Sequence, residues 1–84
     1  MLKETIIALA LQSCHWVPAE IPQLAIVQDV AFDEVARRFG YEHKWGLTLW
    51  LKDGTILTML RSTGADDERL CHEWRHVVEG QWHD

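Results

Sequence analysis

Cysteine, proline and basic side chains are all scarce in this chain. Its 84 residues include two cysteines, Cys14 and Cys71. That is too few for a disulfide scaffold, and they stand too far apart in sequence for a local chelating pair; they would join only if the fold brought them together. The two prolines, Pro18 and Pro22, sit close together, which confines the strongest helix-avoiding signal to one extended connector around Ala19-Glu20-Ile21. Eight Lys and Arg face thirteen Asp and Glu, for a formal charge of -5. Such a balance excludes the basic footprint that loose nucleic-acid binding needs. No apolar run approaches the roughly 20 residues that cross a bilayer, and no repeat or low-complexity tract is present.

What is present is apolar and aromatic. Hydrophobic residues make up 48% of the chain, with five tryptophans, a composition of one globular domain over residues 1–84 with a modest core. The chemistry concentrates near the end, in Cys71-His72-Glu73-Trp74-Arg75-His76-Val77-Val78-Glu79-Gly80-Gln81-Trp82-His83. A helix advances about 100° per residue, so His72 and His76 stand one above the other on adjacent turns and can grip one metal ion. Glu73 is rotated by about a quarter turn and flanks that point, where a carboxylate can take a proton from water. A catalytic zinc site needs a third protein ligand. Gly80 can end the helix in a left-handed cap and turn the chain so that His83 approaches; Glu79 is the alternative third ligand, and Asp84 another. On a helical wheel Leu70, Cys71, Trp74, Val77 and Val78 share an inward stripe. Arg69, His72, Glu73, His76 and Glu79 are expected to face outward, into a cleft.

With its H-E-x-x-H-x-x-x-G-x-x-H order, the segment resembles the zincin metallopeptidases, and within them the metzincin pattern. The spacer Val77-Val78-Glu79 is one residue longer than usual, as in very small metallopeptidases of phage and bacterial genomes, and the charged Arg75 departs from the usual motif. The methionine turn of the metzincins has no counterpart before Asp84. The resemblance implies a Zn2+ ion held by His72, His76 and His83, with Glu73 as general base for peptide hydrolysis. It also implies a backing helix and an active-site helix on one face of a twisted sheet, with a sheet edge along which a peptide or protein substrate lies. Another divalent metal is compatible with three histidines. With so short a chain, a second copy or a partner would complete the cleft.

Upstream, residues 1–14 read either as a first helix or strand or as a lipoprotein-type signal ending at Cys14. The location follows that choice: cytoplasmic in the first case, periplasmic or membrane-anchored in the second. Gln23 to Gln28 reads as a strand. A helix over about 30–39 places Val30, Phe32, Val35, Ala36 and Phe39 inward and stops at Gly40. Two β-rich runs, about 45–51 and 55–61, flank Lys52-Asp53-Gly54, a tight-turn signal for a hairpin. Asp66 or Asp67 caps the motif helix, expected over about 67–79. The expected class is therefore α+β, with a small antiparallel or mixed sheet, a backing helix and an active-site helix. Tyr41 and His43 precede the hairpin, where either could donate a hydrogen bond to an oxyanion. Two other functions fit the same residues: a non-catalytic zinc site that staples a small core, and a metal-free interaction module, of the kind found among phage accessory proteins, with tryptophan anchors.

Overall fold

Helix formers fill the first element. Lys3–Ser13 (KETIIALALQS) forms α1, which ends at Cys14 in extended conformation. In the computed structural model, which describes residues 2–42 and 44–80, five further elements follow. They are β1 (Gln23–Val27), α2 (Asp29–Arg38), β2 (Gly46–Trp50), β3 (Ile56–Arg61) and α3 (Asp67–Glu79). The class is α+β, with three helices and a three-stranded mixed sheet in the order β1-β3-β2. β1 runs parallel to β3 with Leu24 opposite Thr58, and β2 runs antiparallel to β3 with Thr48 opposite the same Thr58.

Side chains alternate across a strand, and the two faces carry different cores. On one face Leu24 and Leu60 pack with Ile6 and Ala10 of α1 and with Leu70 and Trp74 of α3. On the other, Leu47 and Met59 pack with Phe32 and Ala36 of α2. α2 and α3 therefore cover opposite faces. The expectation of a backing helix beside the active-site helix is corrected here: the helix against α3 is α1, not α2. Its Ile6, Ala10 and Cys14 recur every fourth residue, so one stripe reaches α3. Cys14 and Cys71 form a disulfide with Cα atoms 5.3 Å apart, and Ser13 Oγ beside it donates to Asp67 Oδ2 at 3.2 Å. Two inward assignments for α2 are also corrected, since Val30 and Phe39 are exposed. Val30 lies about 160° around the wheel from Phe32, and Phe39 is already the residue that caps the helix.

The turn between β2 and β3 is held by Asp53, whose Oδ1 accepts the Thr55 backbone N–H at 2.9 Å, while Gly54 takes a positive φ of 89°. That N–H, and then the Thr55 hydroxyl, hold the Asp53 carboxyl below the usual carboxylate range. A carboxyl with a lowered folded-state pKa stabilises the fold above its unfolded value of about 3.9, and the contribution is lost as pH falls through the folded value. Asp53→Asn keeps the acceptor oxygen and removes the charge. Denaturation across a pH series should find wild type ahead of this variant at neutral pH, with the gap closing below about pH 4. A gap that persists undiminished at lower pH would refute this origin.

Candidate metal centre

The motif helix starts and stops where its local chemistry dictates. Asp66 caps α3 by accepting the Arg69 backbone N–H at 2.8 Å, Asp67 and Glu68 complement the helix dipole in the first turn, and Gly80 ends it at φ 74°. Within α3, His72 and His76 stand on adjacent turns with ring centroids 5.1 Å apart. One ligand atom from each of His72, Glu73 and His76 lies within 4.8 Å of the others. Donors bound to one zinc ion at about 2.1 Å stand at most about 4.2 Å apart. Tetrahedral zinc sets its donors closer still, about 3.4 Å apart, so rotamer adjustments of the order of an ångström would bring this group to a common centre, and the nitrogen–oxygen donor set suits zinc.

The faces of α3 differ from the helical-wheel expectation. His72 is exposed, but Glu73 and His76 are buried, whereas Val78 from the supposed inward stripe is exposed. The reason is that α3 is covered on two sides. Leu70 and Trp74 meet α1 and the sheet, while Glu73 presses onto β2, where Thr48 Oγ1 donates to Glu73 Oε1 at 2.7 Å. Beside it, a Cβ at position 46 would stand 2.9 Å from Glu73 Oε2 and 2.9 Å from Leu60 Cδ2. A side chain there would push on the ends of both, so the glycine lets the carboxylate lie against the strand as it does. His76 Nδ1 lies 3.3 Å from the Gly80 carbonyl oxygen; a proton on Nδ1 would donate to it and leave the Nε2 lone pair for a metal.

Tyr41, Lys44 and Trp50 join His72, Glu73 and His76 around a cleft of about 110 Å³. The structure thus brings Tyr41, one of the two expected oxyanion donors, to the motif. His43 and the expected third ligand His83 lie outside the described residues, as does Asp84. Glu79, the alternative ligand, pairs instead with Arg75 Nε at 2.6 Å and is not in the three-residue group. Sequence reasoning missed Gly46 and Thr48. Their signal was two small residues spaced by two in a strand otherwise made of large apolar ones, which places both on the face that α3 covers.

Gly46→Ala should therefore displace Glu73. We expect a stability loss of about 1–3 kcal/mol from the overpacked contact, read by denaturant titration, together with weaker retention of metal. Unchanged stability would show that Glu73 does not sit against the strand. Compared with protein-family models, with curated proteins and with solved structures, the chain matches none.

Proposed function

We propose that the protein is a zinc-dependent metallopeptidase of minimal zincin type. The observation that carries this reading is the His72, Glu73 and His76 donor group, which lies within 4.8 Å at the wall of a cleft beside a sheet edge. His72 and His76 would hold the ion, with His83 as third ligand on the strength of its place in the motif. Zinc bound there would supply a Lewis acid toward the peptide carbonyl and toward water.

The chain's own residues do the rest. Thr48 donates to Oε1 of Glu73 and orients the carboxylate, which takes a proton from the attacking water and returns it to the leaving amine. Tyr41 donates its O–H to the developing oxyanion. The substrate peptide pairs in extended form with the outer edge of β2, and a second copy or partner closes the remaining wall. The Cys14–Cys71 disulfide supports an oxidising compartment as the working location. It also uses the Cys14 sulfur that a lipid anchor would need. No helix among the described residues is long and apolar enough to cross a membrane.

One observation favours a second reading. Glu73 is buried within the donor group itself, which suits a non-catalytic zinc staple with Glu73 as a ligand. Elemental analysis of protein purified without a histidine tag tests both readings at once. One zinc per chain, lost in His72→Ala and in His76→Ala, is the expected result. Metal-free protein that stays empty on zinc addition would leave only the interaction-module reading.

A further inference from the structure

A second cleft opens on the other side of His72 and Glu73. It measures about 460 Å³, and Lys44, Trp45, Glu68 and Arg69 line it together with His72 and Glu73. In a chain of net charge -5, two cationic residues border one hollow beside the donor group, with the Lys44 ammonium lying 5.6 Å from the Tyr41 ring centroid at the boundary with the narrower cleft. Both belong to segments held in place. The Arg69 guanidinium stacks on the Trp45 ring with Cζ 4.3 Å from its centroid, and its Nη1 donates to the Gly64 carbonyl and to Asp66 Oδ2, each at 3.1 Å. Both hydrogen bonds use Nη1, so among the described residues the Nη2 and Nε edge remains for a ligand. Gly64 makes the stack fit, because a Cβ there would stand 3.2 Å from the Trp45 ring. The Lys44 backbone is anchored in turn, its carbonyl accepting from Arg61 Nε at 3.2 Å and Nη2 at 3.0 Å. Lys44 also lines the narrower cleft and so stands between the two.

A guanidinium fixed by stacking and two hydrogen bonds has lost its rotational freedom before any ligand arrives, and its fork matches a planar carboxylate. The Trp45 ring offers a flat apolar wall for the body that carries that carboxylate. Glu68 and Glu73 line the cleft and Asp66 pairs with Arg69, so three carboxylates surround the two cations and a ligand is held by the directed guanidinium hydrogen bonds rather than by a general attraction for anions.

We propose that this cleft is a specificity subsite in which Arg69 and Lys44 receive a carboxylate of the peptide substrate. The inference rests on the peptidase reading and names its substrate class: peptides with an anionic group next to the bond that meets Glu73. The carboxylate comes either from an acidic side chain or from a free C-terminus.

Three acetylated tripeptides separate these sources. One carries its carboxylate on a central glutamate with an amidated end, one has glutamine and a free C-terminus, and one has glutamine and an amidated end. Binding to the full chain is read from the Trp45 indole resonance. At least one charged peptide should bind about ten-fold more tightly than the neutral one, as expected for charge-assisted hydrogen bonds. The preference should shrink toward unity in Arg69→Gln and in Lys44→Gln. Equal binding of all three peptides, binding of none, or a preference that survives in either folded variant overturns the subsite. Should Arg69→Gln unfold through loss of its Asp66 contact, the exposed Lys44 still decides the matter. Because the readout is binding, a carboxylate preference without zinc or hydrolysis would sink the peptidase reading and leave the subsite standing, and the reverse result would sink the subsite alone.

Discussion

Glu73→Gln is expected to abolish peptide hydrolysis while leaving both the fold and the bound zinc intact. Gln has nearly the same shape, and its amide oxygen can still accept the Thr48 hydroxyl that now reaches Oε1 at 2.7 Å. What disappears is the basic oxygen. Removal of a positioned general base lowers rates by about 10²–10⁴-fold. Stability should hold or rise, since the carboxylate is only 4% exposed and burial of an ionised group is costly. Turnover of a peptide library, zinc content and a denaturation curve on the same preparation give three independent readouts. Hydrolysis at wild-type rate refutes the base assignment. Loss of zinc without loss of fold would instead identify Glu73 as a ligand, the staple reading.

The second large effect is on stability. The Cys14–Cys71 bridge closes a loop with a sequence separation of 57 residues, for which chain-entropy arguments give about 4 kcal/mol. Apart from the bridge, α1 is held by one short apolar stripe and two side-chain hydrogen bonds. Its buried residues are Ile6 and Ala10, its other contacts include a Lys3 Nζ bond to the Leu24 carbonyl at 3.4 Å and the Ser13 bond to Asp67, and Leu9 and Leu11 are exposed. For a domain whose total stability is on the order of 5–10 kcal/mol, reduction by a dithiol should remove about half. Denaturant midpoints for oxidised protein, reduced protein and Cys14→Ser/Cys71→Ser measure it. A change below about 1 kcal/mol would mean that packing alone seats the helix.

Much of this fold was legible because its elements end on strong local signals. Asp66 and Gly80 bracket α3, Gly40 follows α2, and Asp53-Gly54 lies in the turn between β2 and β3. The H-E-x-x-H spacing likewise implied that His72 and His76 would be neighbours, as they are. What stayed hidden depends on distant pairs. A helical wheel assigns one inward face, but α3 is covered by α1 on one side and by β2 on another, and so Glu73 and His76 are buried as well as Trp74. The layer of α2 was equally out of reach, because Phe32 and Ala36 pattern the same way whichever sheet face they meet. The cysteine pairing required knowledge that α1 and α3 lie side by side.

The sheet order β1-β3-β2 also has a consequence for biosynthesis. β1 is the first strand to leave the ribosome, but among the described residues its only strand partner is β3, made some thirty residues later; α1 likewise waits for α3. A nascent chain that stops before Ile56 therefore holds apolar surface for both cores and no ladder to close either. Such a chain needs a holdase or rapid translation through β3, and arrest in that window should send it to proteases.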